Sequence, residues 1–321
     1  MTKHTAVRLL YLGIVLVVAL MGCMPEDGVD EPALEARRAA RAEQTIRLVY
    51  PDWSSEIASA HLIQTVLQER LGYRVQLVQT DAEGMWRMVA EGEADVLAGA
   101  WLPVTHAEYV REYQGGLEDL GPNLQGARIG LVVPTATPGR QTGDTGQTGR
   151  DLVTISSIRE LAEHAERFQG RIIGIESGAG VMTRAEEALA AYGLERRFRL
   201  IESNEEHMIA EVDAAIRNLR WIVFTGWTPH WSFERYNMRF LDDPEGIFGG
   251  EESIHTMVRS GFAEDMPDAY QTLRRMQWEP RDLERLMIWI HDDAAGGAYR
   301  QALRWIRTNA DIVDEWVRDI E

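Results

Sequence analysis

Ile46-Arg-Leu-Val-Tyr50 is a short apolar run of the kind that forms a buried β-strand, and it begins a series of alternating strands and helices. An amphipathic helix is predicted at 57–70, and strands are predicted at Val75-Gln-Leu-Val78 and Asp95-Val-Leu-Ala98. Repeats of strand, helix and strand indicate a parallel sheet with helices packed on it. The fold class predicted from this stretch is therefore α/β.

A second series of the same kind begins at Arg171-Ile-Ile-Gly-Ile175. It continues with a helix after Val181, a strand at 198–201, a helix at 205–219 and a strand at 221–225. Two such series predict two lobes. We expect lobe 1 to comprise residues 45–131 and 257–321, and lobe 2 to comprise residues 132–256 with a mobile Gly/Thr-rich loop at 135–150.

The connections between the lobes are predicted at two apolar segments. Arg128–Pro134 and Ser253–Phe262 have the pattern of strands and are the expected crossings. Residues 264–321 have a helical period and carry Trp278, Trp289, Trp305 and Trp316. These last helices should therefore return to lobe 1, which is the arrangement of a protein that closes about a hinge.

The N-terminal residues have the pattern of an export signal. Lys3 and Arg8 precede an apolar run that is short for a membrane span, and Gly22-Cys23 follows it. Residues 1–22 are predicted to be a signal peptide, Cys23 a lipidated N-terminus resembling that of a lipobox, and residues 23–44 a flexible tether. A buried free thiol at Cys23 is the alternative. The predicted location is extracytoplasmic, anchored by lipid to the membrane, in the periplasm or at the cell surface.

The charge of the chain excludes one class of partner. Its formal charge is −18, and removal of residues 1–22 takes away two cations and no acid, which leaves −20. Such a surface repels nucleic acid. Lys3 is the only lysine, so every fixed side-chain cation after the signal peptide is arginine. An acidic, lysine-free surface indicates adaptation to high salt, although a GC-rich genome alone would also favour arginine over lysine.

Three tryptophans follow predicted strands, where α/β proteins place ligand sites. Trp53 comes after the first strand, Trp101 after 95–98 and Trp227 after 221–225. A quaternary ammonium ion has no proton to donate, so a protein holds it by cation–π contact and dispersion, which requires several aromatic rings to converge. Taken singly, each tryptophan at a strand end is more often explained by packing; three at equivalent places, split between two lobes, favour a site.

The segments around these tryptophans resemble those of one known family. The similar segments are Tyr50–Ser59, Ala98–His106, Gly174–Met182, Thr225–Trp231, Phe240–Pro244 and Glu252–Thr256. Together they are similar to the glycine betaine (quaternary ammonium) binding proteins of ABC importers, from about Ile46 to the last helices. The resemblance implies the two-lobed periplasmic-binding-protein fold of type II, with a ligand cleft between the lobes and two hinge crossings. Of the family's two chain orders, this chain has the one with the Trp53 and Trp101 lobe first.

The resemblance also implies roles for six residues. Trp53, Trp101 and Trp227 match the ammonium cage, whereas His106 and the N–H groups of Gly180 and Val181 match the carboxylate site. The segment 178–180 precedes a predicted helix, so free amides and the positive end of the helix dipole would face an anion there. Implied partners are a betaine-type small molecule and an ABC permease with its ATPase, to which the protein, expected to be a monomer, delivers an osmoprotectant. No cofactor, metal site or catalytic residue is predicted.

Other aromatic residues and histidines are interpreted as structural. Trp86, Trp221 and Trp278 are expected in the core, and His230 with Trp231 in a structural turn. His255, four residues after Glu251, lies in a strand pattern and is not expected to bind metal. Three alternatives stay open: a receptor for choline, carnitine or a sulfonium zwitterion, an extracytoplasmic betaine sensor, and, more distantly, an enzyme acting on betaines.

Overall fold

The computed structural model describes residues 31–135, 152–293 and 295–320. The predicted signal peptide, the predicted lipidation residue Cys23 and all but Thr135 of the predicted loop at 135–150 lie outside these residues. The chain divides into a unit of residues 1–40 and a unit of residues 41–321, and the second unit contains all nine strands of the described residues.

Helix α1, Glu31–Arg41, lies in the described part of the predicted tether at 23–44, where no regular structure was expected; residues 23–30 lie outside the described residues. Its sequence is rich in alanine, arginine and glutamate, which are good helix formers. Arg41 begins the second unit: its guanidinium donates to Asp268 Oδ2 at 2.6 Å and to the carbonyl oxygen of Ile320 at 2.7 Å. The chain is thus fixed from Arg41 onwards, before the first strand.

Five strands form a mixed sheet in the order β2-β1-β3-β9-β4. The bounds are β1 Thr45–Tyr50, β2 Arg74–Gln79, β3 Val96–Leu102, β4 Leu117–Pro134 and β9 Glu252–Arg259. Strands β2, β1 and β3 are parallel, whereas β9 is antiparallel to both β3 and β4. All but the last residue of β3 are buried, as expected for a strand covered on both faces.

The helices that cover this sheet follow the predicted alternation. They are α2 Ser54–Val66, continued by a wider turn at Leu67–Leu71, then α3 Ala82–Ala90 and α4 Ala107–Tyr113. Helix α3 begins after Asp81, whose side chain accepts a hydrogen bond of 2.7 Å from the Gly84 N–H and so satisfies an amide of the first turn. The predicted strand–helix–strand order of this half is confirmed.

The second group of strands has the order β4-β7-β5-β6, with β8 also paired to β4. These strands are β5 Arg171–Ile173, β6 Arg199–Ile201, β7 Phe224–Thr228 and β8 Met238–Phe240. Helices α5 Gly180–Ala191, α6 Glu205–Arg217 and α7 Trp231–Arg235 alternate with them. Strand β5 is parallel to β6 and β7, so the second predicted α/β series is also confirmed.

The 18-residue strand β4 belongs to both groups. Residues 117–127 pair with β9, and residues 128–132 pair with β7. Strand β4 changes its pairing partner between Ala127 and Arg128, so it passes from the first strand group to the second at the beginning of the predicted crossing segment, Arg128–Pro134. The second prediction is wrong in detail: Ser253 already pairs with Leu102 and Gln125 of the first group, so the return precedes Ser253. The lobe boundaries themselves stay a prediction.

The C-terminal part is helical, as predicted. It comprises α8 Phe262–Asp265, α9 Pro267–Arg275, α10 Pro280–Asp292, α11 Ala298–Thr308 and α12 Ala310–Val317. Pro267 and Pro280 stand at the first positions of α9 and α10, where a missing N–H costs no intrahelical bond. Helices α10 and α11 pack against α2, so this region covers the first group of strands.

Candidate ligand-binding site

A cavity that opens to solvent, with about 300 Å³ of empty space, is lined by residues of both strand groups. It is lined by Trp53, Trp101, Thr105, His106, Ile129, Ile175, Ala179, Gly180, Val181 and Trp227. All six residues predicted to bind a ligand are among them. The structure therefore brings these residues together from separate segments of the chain; their ligand-binding role remains a prediction.

The elements that carry the tryptophans differ from the prediction. Trp53 precedes the first residue of α2 after β1, as expected. Trp101 and Trp227 are inside β3 and β7, because these strands run three to four residues further than predicted. Both positions are still next to the last residue of a parallel strand, so the indoles reach the sheet edge where the cavity opens.

Two of the three indole N–H groups are hydrogen-bonded to glutamates. Trp53 Nε1 donates to Glu176 Oε1, and Trp101 Nε1 donates to Glu56 Oε1 at 3.2 Å. Trp227 Nε1 is buried and has no hydrogen-bond partner among the described residues. The first two rings are therefore fixed by carboxylates that do not themselves line the cavity.

His106 lines the cavity and has one ring nitrogen without a hydrogen-bond partner among the described residues. Its Nδ1 accepts a hydrogen bond of 3.1 Å from the Trp101 backbone N–H, which assigns the ring proton to Nε2. The side chain is 1% exposed, and among the described residues Nε2 has no partner. Burial lowers the pKa of His106 to about 3, so the ring is neutral at ordinary pH. Its Nε2–H is available to an anion or another acceptor.

Two backbone donors come from the start of α5. Gly180 and Val181 are the first two residues of this 12-residue helix, so their N–H groups have no acceptor within it. A Cβ at Gly180 would lie 2.3 Å from the carbonyl oxygen of Thr105. Glycine is therefore required where the second strand group approaches the loop that carries His106.

The loop after β3 is held by one buried acid. Glu252 Oε1, at the beginning of β9, accepts hydrogen bonds from the N–H groups of Val104 at 2.6 Å and Thr105 at 2.9 Å, and Oε2 accepts one from the Thr105 hydroxyl. The His106 N–H donates to the Trp101 carbonyl oxygen at 3.0 Å. These bonds fix the position of His106 relative to the indole of Trp101.

The acids behind the indoles have unusual surroundings. Burial raises the pKa of Glu56 to about 7; the charge of Glu205 also raises it, and the hydrogen bond from the Trp101 indole opposes the rise. Burial also raises the pKa of Glu176, with smaller contributions from Glu205 and Asp52 in the same direction. Carboxylates close to one another in a dry environment resist ionisation, and a nearby cation would relieve that cost.

Glu205 belongs to a separate, satisfied network. Its Oε2 accepts from the Ser54 N–H at 2.9 Å, and its Oε1 lies 3.0 Å from His230 Nε2. Burial raises the pKa of Glu205, but the charge of His230 and these hydrogen bonds outweigh it and lower the pKa overall. His230 also begins α7, where its Nδ1 accepts from the Ser232 N–H. This network agrees with the structural interpretation of His230.

The remaining residues interpreted as structural do not line the cavity. Trp86, Trp221 and Trp278 are 0%, 7% and 6% exposed, which confirms their interpretation as core residues. The Trp231 ring stacks on His291 at 3.8 Å between centroids. His255 Nδ1 bonds to Asp119 at 2.9 Å from within β9. Within the described residues no cluster of His, Cys, Asp and Glu could hold a metal ion, and no helix is long and apolar enough to cross a membrane.

Most of the sequence matches one family. Residues 44–308 match the family described as the substrate binding domain of ABC-type glycine betaine transport system. The chain belongs to this family. The members of this family are transport proteins that work outside the cytoplasm; the family is not a class of enzymes. The match covers both strand groups and every residue of the cavity.

Individual relatives agree with this assignment. A glycine betaine/carnitine transport binding protein of Listeria monocytogenes is 37% identical over 174 residues, which is 54% of this chain and 56% of that protein. The chain thus spans about half the length of this curated relative in the match.

Solved structures show the same mixed α/β fold of the type II periplasmic binding proteins. Lactococcal OpuAC, in its closed, liganded conformation with glycine betaine, is 34% identical with a TM-score of 0.76; 86% of this chain and 100% of that chain are covered. The glycine betaine/L-proline binding protein ProX of Borrelia burgdorferi is 33% identical with a TM-score of 0.77; 86% of this chain and 97% of that chain are covered. The predicted fold is therefore confirmed.

Some residues of the site were not predicted from sequence. Thr105, Ile129 and Ile175 line the cavity, and Glu56 with Glu176 bind the indoles. Each glutamate lies within a segment singled out for its resemblance, three residues after Trp53 or two before Gly178. A pattern of that kind does not show that an acid bonds to a tryptophan elsewhere in the chain.

Proposed function

We propose that the protein is an extracytoplasmic solute-binding lipoprotein that captures glycine betaine and delivers it to an ABC permease with its ATPase for osmoprotectant uptake. The observation that supports this most directly is that the same cavity contains Trp53, Trp101 and Trp227 together with donors that have no partner among the described residues. Aromatic faces alone would suit many apolar ligands, and donors alone would suit many anions. Their combination suits a zwitterion with a quaternary ammonium group.

The two charges of glycine betaine would be held by different chemistry. The three indoles would contact the trimethylammonium group, since each desolvated cation–π contact contributes on the order of 1 to 2 kcal/mol. His106 Nε2–H and the N–H groups of Gly180 and Val181 would bind the carboxylate, with the dipole of α5 favouring its charge. A neutral His106 is a donor without a charge of its own, so it adds no repulsion towards the cation.

Ligand binding would also close the two lobes. Trp53, Trp101 and His106 belong to the first strand group, whereas Gly180, Val181 and Trp227 belong to the second. Hydrogen bonds already join the groups near the cavity: Trp53 to Glu176, the Ser54 N–H to Glu205, and the Tyr109 hydroxyl to the Gly178 carbonyl oxygen at 2.8 Å. A ligand that contacts both groups is bound completely only when they approach, which shifts the equilibrium to the closed state.

Calorimetric titration of the purified protein tests the ligand. Glycine betaine should bind, and choline, which has the cation but no carboxylate, should bind more weakly by a factor of about ten or more because the donors are left without an acceptor. Carnitine and a sulfonium zwitterion complete the panel. Choline binding as tightly as betaine would refute the assignment of the donors, and absence of betaine binding would refute the ligand class.

Trp101→Leu tests the cage. We expect betaine affinity to fall about a hundredfold, because both a cation–π contact and apolar contact area are lost. Trp289→Leu is the matched control, since Trp289 packs under Arg304 outside the cavity lining. Circular dichroism of both variants should show that they are folded. Unchanged affinity in folded Trp101→Leu would remove Trp101 from the site.

Location and assembly belong to the same proposal. Lipidation at Cys23 would tether the protein outside the cytoplasm, and a monomer would dock on the permease. Mass spectrometry of the N-terminal peptide from membranes should show a diacyl-modified cysteine, and Cys23→Ser should release the protein from them. A permease complex that stimulates ATP hydrolysis only with betaine-loaded protein would distinguish transport from sensing.

A further inference from the structure

Two glutamates outside the cavity lining bind two of the three tryptophans that line it. Glu56 comes from the first turn of α2, and Glu176 from the loop between β5 and α5. Their acceptor atoms are Oε1 in both cases, bonded to Trp101 Nε1 and Trp53 Nε1. Each carboxylate therefore lies beyond the N–H edge of a ring that lines the cavity.

The space for Glu56 is built into β3. Its side chain is 2% exposed, and a Cβ at Gly99 would lie 2.2 Å from Glu56 Oε2. Any other residue at position 99 would displace the carboxylate and, with it, the acceptor of the Trp101 indole. The buried Glu56 carboxylate therefore requires glycine at position 99, in the centre of β3.

Neither acid is matched by an arginine in its immediate surroundings, as far as the described residues show. The interactions that shift the pKa of Glu56 are burial, the bond from Trp101, the nearby Ser55 and the charge of Glu205. Those on Glu176 are burial, its own backbone, the Trp53 bond, and the charges of Glu205 and Asp52. The region beside the cage therefore has an excess of negative charge, which a buried site tolerates poorly unless a cation enters it.

A carboxylate at the N–H of an indole has two separate effects on a ligand over the ring. It fixes the ring orientation, and it draws the N–H proton towards itself, which makes the π face more electron-rich and more attractive to a cation. The first effect helps any ligand of the right shape. The second helps only a positively charged one, and the charge of the carboxylate itself adds to it through a medium of low dielectric constant.

We propose that Glu56 and Glu176 are positioning residues that determine specificity: through Trp101 and Trp53 they make the cavity select a quaternary ammonium over an uncharged group of the same shape. This inference rests on the proposed function, since it concerns the cation that the cage receives. It adds two residues that do not touch the ligand. Trp227, whose N–H has no acceptor among the described residues, contributes its face without this effect.

The test compares glycine betaine with 3,3-dimethylbutanoate, in which a carbon atom replaces the quaternary nitrogen and the carboxylate is kept. Affinities are measured at pH 8 by calorimetry, with the weaker ligand in competition against betaine. For Glu56→Gln and Glu176→Gln, which keep an acceptor oxygen but lose the charge, we expect the preference for betaine over the isostere without a cationic group to fall about tenfold each. Betaine itself should bind more weakly, and the isostere as well as before or better.

Glu176→Ala and a matched control separate position from charge. Glu176→Ala removes acceptor and charge together, so it should weaken both ligands and also reduce the preference. Glu118→Gln alters a glutamate that accepts a bond from the Tyr270 hydroxyl outside the cavity lining, and it should change neither affinity. Glu176 is only half-buried in a loop, so its variants remain informative even if Glu56→Gln does not fold.

The outcomes distinguish this inference from the proposal on which it rests. If the unaltered protein binds betaine but both Gln variants keep the full preference over the isostere, the glutamates act only as structural supports and the inference is overturned. Equal weakening of both ligands would overturn it as well. If the unaltered protein does not bind betaine at all, the proposed function fails first.

Discussion

Asp95 and Glu56 are two buried carboxylates near opposite ends of the same strand, and their surroundings differ completely. Asp95, just before β3, accepts from Arg47 Nε at 3.0 Å and from Arg259 Nε at 2.7 Å. Glu56 packs against Gly99 and Trp101 in the second half of β3, where its hydrogen-bond donor is the neutral indole of Trp101. The difference shows that one buried acid is balanced by two arginines of the fold, whereas the acid beside the cavity has no such partner among the described residues.

The pKa values follow the same division. Burial raises the pKa of Asp95, but the bonds from Arg47 and Arg259 outweigh it, so the pKa lies below its usual range. For Glu56 burial is opposed only by weaker neutral donors, and the pKa rises to about 7. Two buried acids are thus ionised over different pH ranges, because only one of them has arginine partners.

Asp95→Asn should give the largest change in stability. It leaves two arginines without their common carboxylate, and loss of a hydrogen bond to a charged group costs about 1.5 to 3 kcal/mol; Arg47 is partly exposed and Arg259 keeps Asp265, so a larger cost is not expected. The free energy of unfolding, measured with urea, should fall by about that amount while betaine affinity of the folded protein stays nearly unchanged. Glu93→Gln removes an acid from an exposed pair with Arg87 and should cost far less. Equal effects of the two substitutions would contradict the structural role given to Asp95.

Unlike Asp95→Asn, Glu56→Gln should increase the stability of the protein, and the increase should depend on pH. Because the folded pKa is about 7 and the unfolded value is near 4.5, the folded protein holds a proton that the unfolded chain has lost between these values. The stability contributed by protonated Glu56 is therefore lost as the pH rises from about 4.5 to 7.

The measurement for this prediction is the melting temperature of ligand-free protein and variant at pH 5 and pH 8. The stability of the glutamine variant lacks this dependence on pH. From pH 5 to pH 8 its free energy of unfolding should therefore rise by about 2 kcal/mol relative to that of the unaltered protein, which corresponds to several degrees in melting temperature. Glu205 and Glu176 face the same region and are present in both proteins, so the difference between the two proteins is the informative quantity. A difference that does not change with pH would mean that Glu56 is ionised throughout.

The smallest of the expected effects is that of salt, which should screen the acids on the surface more than the buried ones. A charge near −20 on the part after residue 22 predicts self-repulsion that salt screens, since the Debye length falls from about 10 Å at 0.1 M to about 3 Å at 1 M. The melting temperature should rise by a few degrees from low to molar sodium chloride. Betaine affinity should change less, because buried charges are screened less.

Sucrose of matched osmolarity is the control for the salt series, since it stabilises proteins without screening charge. A rise with sucrose as large as the rise with sodium chloride, or no rise with salt at all, would count against adaptation to high salt. The surplus of arginine over lysine would then be a matter of codon composition.

The sequence predicted the elements better than their ends. Strands β1, β2, β5 and β6 were placed within about two residues, because short apolar runs between polar turns are local signals. Strand β3 was predicted to end at Ala98 and continues to Leu102, since glycine and tryptophan at its end do not mark a strand by themselves. Helix α1 was missed because a run of alanine, arginine and glutamate without an apolar period is typical of both a tether and a helix.

What the sequence determined by itself was the kind of protein: an α/β chain of two series, with aromatic residues near strand ends and glycines before a helix, matching one family along most of its length. Only the tertiary structure decided which residues meet. Glu176 bonds to Trp53 across 123 positions and Glu56 to Trp101 across 45. Such pairs depend on where β4 changes from one strand group to the other and on strand register, which are set by packing of the whole chain and leave no periodic trace in the sequence.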